Sequence, residues 1–160
     1  MWHRVNVKNP TLKLGNGTLE YRSFEGTLVW TLALGDIVLL AEYTTDAGPL
    51  LDDYFLVFVT AGNDTRKFAT ASFYCDGLEE VLGQLALEWK ADTKLALAGS
   101  TVWKSRVVWP PALADEAYSE ASEVLPTTLL GRLRKAVFGP RYEYPARRSI
   151  CDFLDSDPLR

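Results

Sequence analysis

Histidine and cysteine are scarce in this sequence. Its 160 residues include one histidine, His3, and two cysteines, Cys75 and Cys151. A structural zinc site needs four clustered histidine or cysteine ligands, and a Ser-His-Asp or Cys-His catalytic arrangement needs a histidine in a structured pocket. The glycine-rich phosphate-binding patterns and G-x-S-x-G do not occur either. We therefore expect neither a metal nor a cofactor.

Long apolar runs are also missing. The most apolar stretch, TLALGDIVLLAEY, is interrupted by Gly35 and Asp36, and it falls short of the roughly 18 residues that a membrane span requires. The opening residues, MWHRVNVKNPTL, lack the apolar core of a signal peptide. Two cysteines far apart suit reduced thiols. These features together predict a cytoplasmic protein.

Charge is unevenly distributed along the chain. Residues 1–130 carry ten basic and seventeen acidic side chains, whereas residues 131–148 carry six basic side chains and one acidic one. The six form a candidate strip for an anionic partner: Arg132, Arg134, Lys135, Arg141, Arg147 and Arg148. The alternative is a solvated helix face and tail. The acidity elsewhere argues against nucleic acid as a partner.

Alternating hydrophobicity predicts strands in the first half of the chain. In TLVWTLAL the large residues recur at every second position, from Leu28 to Leu34, which is the period of a strand. A strand is expected before it, in TLEYRSFEG, after a turn at GNGT. IVLLAEYTT and YFLVFVT are apolar on both faces and so predict covered, central strands, and RKFATASFY follows as a fifth.

The period then changes to that of a helix. In DGLEEVLGQLALEWK the apolar residues form one stripe: Leu78, Val81, Leu82, Leu85 and Trp89. Asp76 is expected to cap this helix, and Gly83 to allow a close approach to the sheet. A further strand is predicted in TVWKSRVVW, with Trp103, Ser105, Val107 and Trp109 on one face and Lys104 and Arg106 on the other. A short amphipathic helix is predicted near 127–138.

These elements predict an α+β domain. We expect a mostly antiparallel, bent sheet or partly open barrel, packed by the amphipathic helix near residues 77–90, with a peripheral C-terminal helix. Residues 1–126 would form one β-rich domain, and residues 127–160 an amphipathic helix and basic tail that packs on the same domain.

The stretch EYTTDAGPLLDD holds the one concentration of carboxylates that suggests a site: Glu42, Asp46, Asp52 and Asp53. Strand ends meet in a hairpin, so Glu42 and Asp53 could face each other and either exchange protons or hold a hard cation. The alternative is an acidic hairpin turn, because Asp is favoured in turns and charges at strand ends block edge pairing. The turn is the favoured interpretation.

Trp103 and Trp109, with the interleaved Lys104 and Arg106, raise a second possibility. Aromatic and basic side chains on one strand can stack on nucleobases or sugars. Packing against the core is the favoured alternative, as for Trp30 and Trp89, which fall at periodic apolar positions.

The middle of the chain resembles a known family. The succession LVWTLALGDIVLLAEYTT, DDYFLVFVT and RKFATASF, followed by a helix from about Gly77, is similar to the later strands and closing helix of bacterial pleckstrin-homology-like (PH-like) domains. The likeness covers residues 20–90. It implies a scaffold without catalysis that binds peptides, proteins or lipid head groups, and it assigns no binding residue.

The favoured function is therefore a non-catalytic cytoplasmic binding or assembly module of PH-like type, whose partner is another protein. Two alternatives stay open. One is a small carboxylate-based or cation-dependent hydrolase that uses the acidic stretch. The other is a peripheral membrane adaptor that uses the basic C-terminal segment on an anionic membrane surface.

Overall fold

The structure, a computed structural model, describes residues 8–47, 51–61, 67–119, 122–123, 142–143 and 146–156. The chain divides into two compact units, residues 1–116 and 117–160, and each is described by itself. The predicted domain boundary at residue 126 and the predicted helix near 127–138 lie outside the described residues.

The described residues of the first unit form seven strands and one α-helix. The strands are β1 (Thr11–Gly15), β2 (Thr18–Arg22), β3 (Leu28–Ala33), β4 (Ile37–Thr44), β5 (Tyr54–Thr60), β6 (Lys67–Ser72) and β7 (Lys104–Trp109), and the helix is α1 (Leu78–Trp89). The strands form two antiparallel sheets, ordered β1-β2-β3 and β6-β5-β4-β7. The predicted α+β class is confirmed, and the two sheets do not close into a barrel.

β4 and β5 are the central strands of the larger sheet, as their sequences predict. The side chains that face the core alternate with others that are also buried: Leu39, Ala41, Val57 and Val59. Burial on both faces explains why these strands lack the apolar–polar alternation of a strand with one face in water.

β1 is a strand that the sequence analysis missed. It pairs with β2 through the turn at Asn16 and Gly17, both of which have positive φ, 51° and 70°. Of its five residues, Leu12 and Leu14 are the large apolar ones. A pattern this short cannot be recognised as a strand without knowing that it pairs with β2. The predicted turn at GNGT is confirmed.

The core lies where both sheets and α1 meet. The smaller sheet contributes Leu12, Leu19 and Leu32, and the larger sheet contributes Ile37, Leu40, Leu56, Phe58, Ala69, Ala71 and Val108. From α1 come Leu78, Val81 and Leu85, with Leu82 and Trp89 half-buried beside them. The predicted helical stripe is confirmed.

The start of α1 differs from the prediction. The residue before the helix is Gly77, with φ of 86°, and Asp76 makes no capping bond; its Oδ1 accepts a hydrogen bond from Asn9 Nδ2 at 3.1 Å. A Cβ on Gly77 would lie 2.4 Å from the carbonyl oxygen of Leu12. The close approach to the sheet therefore occurs at Gly77 and not at Gly83, which has open space around it.

The second unit contains two short strands and a helix in its described part. Strand β8 (Ser122–Glu123) pairs with β9 (Tyr142–Glu143), and α2 spans Arg148–Ser156. Ile150 on α2 is fully buried. A C-terminal helix, which the predicted fold class includes, is thus present, whereas the helix predicted near 127–138 falls outside the described residues. Among the described helices, none is both long and apolar enough to cross a membrane.

Candidate functional site

Glu42 lies in the interior of the first unit. It belongs to β4, its side chain is fully buried, and its neighbours across the sheet are Leu56 on β5 and Arg106 on β7. It shares the core-facing side of β4 with Leu40. Taking a carboxylate out of water costs several kcal/mol unless it is paired and hydrogen-bonded, so the partners of this side chain decide its role.

Both carboxylate oxygens of Glu42 have protein donors. Oε1 accepts hydrogen bonds from the backbone N–H of Ala96 at 3.0 Å and from Arg106 Nε at 2.7 Å. Oε2 accepts from the hydroxyl of Tyr54 and from the backbone N–H of Leu97 at 3.3 Å. A carboxylate has about four lone-pair positions, so these donors fill it.

Arg106 completes what we call the buried charge cluster, which consists of Glu42, Tyr54 and Arg106, with the exposed Asp115 as an outer partner of Arg106. Its Nη2 lies 2.6 Å from Glu42 Oε1 and donates to the carbonyl of Lys94, while its Nη1 contacts Asp115 Oδ1 at 2.7 Å. Arg106 and Val107 lie on opposite faces of β7, as predicted, and the face that carries Arg106 is the one toward the core. Val108 shares this core-facing side with Arg106.

Tyr54 acts in this cluster as a donor. Burial, and then the hydrogen bond to Glu42, raise the pKa of its hydroxyl above the ordinary value of 10. The phenol therefore stays protonated at neutral pH and can donate its hydrogen to Glu42. With both oxygens filled and no contact with solvent, Glu42 cannot take a proton from a substrate or bind a cation; it is a structural group.

The buried charge cluster fixes the segment that joins α1 to β7. Three of its hydrogen bonds reach the backbone of residues 94–97, at Lys94, Ala96 and Leu97. Thr93 Oγ1 ties the same segment to α1 by donating to the carbonyl of Leu82 at 2.8 Å. A stretch without regular secondary structure is thereby held against both the sheet and the helix.

The other three carboxylates of the acidic stretch do not join Glu42. Thr45 bonds to Asp53 and Thr44 pairs with Tyr54, so Asp53 is not opposite Glu42. Asp53 Oδ1 instead accepts from the Tyr74 hydroxyl at 2.6 Å, and Asp46 and Asp52 are exposed. Within the described residues, no group of three or more potential metal ligands converges.

The predicted basic strip falls mostly outside the part of the chain that the structure describes. Arg132, Arg134, Lys135 and Arg141 lie outside the described residues. Arg147 and Arg148 stand at the start of α2, where the Arg147 N–H donates to the Tyr118 carbonyl and Arg148 is exposed, 3.9 Å from Asp152.

The tryptophans that could have formed an exposed stacking surface are packed within the first unit instead. Trp109 stacks on Trp89 of α1, with ring centroids 4.3 Å apart and planes 16° from parallel. Trp30 packs on the core and donates from its indole to the carbonyl of Thr70 at 2.9 Å. The packing alternative is confirmed for Trp30, Trp89 and Trp109, and Trp103 is half-buried.

A groove runs beside the first turns of α1, and we call it the helix groove. It has a volume of about 940 Å³ and lies between the β6–α1 connection and residues 92–95. Its apolar lining is buried or half-buried: Phe73, Leu78, Leu82 and Leu95. Its charged lining is exposed and mostly acidic: Asp76, Glu79, Glu80, Asp92 and Lys94.

The helix groove contains no activated nucleophile. Its one thiol, Cys75, is 7% exposed, and burial raises the pKa of that thiol to about 11. It is therefore protonated at neutral pH, and only a thiolate is an effective nucleophile. What the groove offers is an apolar surface with an acidic border, one wall of which is the segment held by the buried charge cluster.

Sequence reasoning missed both Arg106 and the helix groove. One signal was available for the first: a glutamate inside the apolar run IVLLAEYTT requires a buried partner, and a predicted strand carried an arginine. No comparable signal marked the groove, because its walls come from segments far apart in the sequence.

The chain matches no protein-family model, no curated protein and no solved structure.

Proposed function

We propose that this protein is a non-catalytic binding or assembly module, and that it binds a segment of another protein in the helix groove. The observation that carries the proposal is the combination of an apolar lining with an acidic border. A chain with one or two apolar side chains flanked by lysine or arginine matches both features.

Two physical terms support such a ligand. Burying an apolar side chain against Phe73, Leu78 and Leu82 contributes roughly 25 cal/mol for each Å² removed from water. The border carries four carboxylates and one lysine, so it attracts a basic segment and speeds its approach at low salt. Since the groove wall is already fixed by the buried charge cluster, little ordering of this chain has to accompany binding.

The PH-like resemblance is consistent with this function and remains part of the proposal. Scaffolds of that type present a rigid sheet and a helix to peptides, proteins or lipid head groups. The acidic border favours a basic polypeptide over an anionic lipid head group, which it would repel. The carboxylate-based hydrolase gains no support from the acidic stretch, whose members point to different surroundings.

Affinity capture from native cell extract tests the proposal. The immobilised protein should retain one or a few partners, and Glu79→Gln/Glu80→Gln should lose them because two border charges are removed. Glu25→Gln/Glu88→Gln, which removes two exposed charges elsewhere, is the matched control and should retain them. Equal retention by both double variants would show that the helix groove is not the binding surface.

A further inference from the structure

The four outer edges of the two sheets differ in whether their backbone groups are occupied. An exposed strand edge presents N–H and C=O groups that can pair with another strand. A stable edge in the first unit therefore needs other groups to occupy its N–H and C=O groups.

Three edges are occupied by neighbouring parts of the same unit. Beside β1, the Leu12 N–H donates to Asp76 and the Asp76 N–H donates to Pro10. Beside β7, residues 115 and 116 exchange hydrogen bonds with Val107. Beside β6, the Trp30 indole bonds the Thr70 carbonyl and the Tyr21 hydroxyl accepts from the Ser72 N–H at 3.2 Å.

The fourth edge, that of β3, is open in the described part of the chain. Its one partner strand there is β2. Leu34 N donates to Gly17 O at 2.8 Å next to the pair Thr18–Ala33. Because alternate residues bond to the neighbouring strand, the backbone groups of Thr31 and Ala33 point away from β2.

The β3 edge also lacks the charged side chains and prolines that commonly protect edges. Residues 26–35, GTLVWTLALG, contain neither. Leu28 is 46% exposed and Val29 is 56% exposed, while Thr31 and Ala33 are exposed as well. A register shift beside Val29 limits the regular edge to the residues from Trp30 to Ala33.

We propose that β3 pairs antiparallel with β3 of a second copy of this chain. A two-fold axis at Leu32 would place Thr31 opposite Ala33 of the second copy, within the regular part of the edge, so that a β-branched residue meets a small apolar one and no like charges face each other. The second copy supplies a strand edge that is equally free of charged residues, with N–H and C=O groups to pair with those of this edge. The helix groove is not involved, so this inference is independent of the proposed function.

The association is weak. One short strand pair buries less than the roughly 1,200 Å² of a stable interface, so we expect a dissociation constant in the micromolar to millimolar range. Sedimentation equilibrium over a concentration series up to about 1 mM should show the apparent mass rising from 17.9 kDa toward twice that value.

Two variants of Thr31 test the edge itself. Thr31→Pro removes an N–H that points away from β2, which an edge position tolerates, and Thr31→Lys adds a charge that can pair with Glu20 directly across on β2. Both should stay monomeric. Leu87→Lys, at a position on α1 that is 80% exposed, adds the same charge elsewhere and should still associate.

Amide hydrogen exchange gives a second measurement. The Thr31 and Ala33 amides should become more protected as the protein concentration rises, whereas the Trp30 and Leu32 amides, which bond to β2, should not change. The proposal is wrong if the wild-type mass stays at that of the monomer throughout, if both Thr31 variants still associate, or if the Thr31 and Ala33 amides show no concentration dependence.

Discussion

Glu42 and Asp53 belong to the same β4–β5 hairpin and have opposite surroundings. Glu42 is fully buried, with an arginine, a tyrosine hydroxyl and two backbone N–H groups as donors. Asp53 lies at the start of β5 and bonds the hydroxyl of Tyr74, a residue that is 51% exposed. Two carboxylates from one acidic stretch thus have different roles, and the strand face and the cover above it decide which.

The difference has an energetic consequence. Removing one member of a buried pair leaves an unpaired charge in the interior, whereas an exposed carboxylate that loses a partner is solvated by water. Substitutions at the two ends of the hairpin should therefore differ in how much unfolding free energy they cost.

Arg106→Met should cause the largest loss. It leaves Glu42 buried without its cation, which costs about 3–5 kcal/mol of unfolding free energy, measured by urea denaturation. Arg22→Met is the matched control, because Arg22 pairs with Glu20 at 3.2 Å where both side chains are about 40% exposed; it should cost less than about 1 kcal/mol. Similar losses for the two variants would contradict the role given to the buried charge cluster.

The Arg106→Met variant should also weaken binding in the helix groove. Without the guanidinium of Arg106, the segment of residues 94–97 loses its hydrogen bond at the Lys94 carbonyl. Glu42 also loses its cation, so the groove wall loses part of its support. The capture should be compared under conditions in which the variant and the wild type are folded to the same fraction. Equal retention of partners would then show that the groove wall does not depend on the buried charge cluster.

Tyr54→Phe should have an intermediate effect. It removes one donor to a buried carboxylate and should cost about 1.5–3 kcal/mol at neutral pH. The pKa of Tyr54 is raised by folding, so its contribution is complete below the ordinary value near 10 and is lost as pH rises above that value. The stability difference between wild type and variant should therefore shrink in alkaline solution; a constant difference would contradict this assignment.

Asp53→Asn and Tyr74→Phe should have small effects. Their hydrogen bond is exposed, so each variant should change the unfolding free energy by no more than about 0.5 kcal/mol. A loss as large as that of Tyr54→Phe would remove the contrast between the two ends of the hairpin.

Divalent cations should have no effect on the acidic stretch. Because its carboxylates do not converge, millimolar calcium or magnesium should leave the melting temperature unchanged. An increase that disappears in Asp52→Asn/Asp53→Asn would instead support the cation-site interpretation.

Patterns that depend on near neighbours were readable from the sequence. Alternation located β3, runs that are apolar on both faces located the central strands β4 and β5, and the helical stripe located α1 to within a residue or two. These signals are strong because each element buries its own apolar side chains. Such side chains recur at every second residue on one face of a strand and at every third or fourth residue on one face of a helix.

Side-chain partners across the fold were not readable in the same way. Simple alternation placed Arg106 on the strand face opposite Val107 and Trp109 and named no partner for it; the register shift between Leu40 and Ala41, opposite β7, breaks that alternation between Val107 and Trp109. Asp76 was assigned as a cap from its position alone, yet the backbone of β1 approaches Gly77 and Asn9 takes its carboxylate.

The sequence by itself determined the α+β class, the central strands and the apolar face of α1, because burial of apolar surface imposes a local period. Tertiary structure alone decided that Glu42 is a buried structural group and that Asp53 is not its partner. It also decided that the helix groove exists and that β3 has the open edge. Each of these depends on which distant segments meet, and hydrogen bonding between them leaves no periodic trace in the chain.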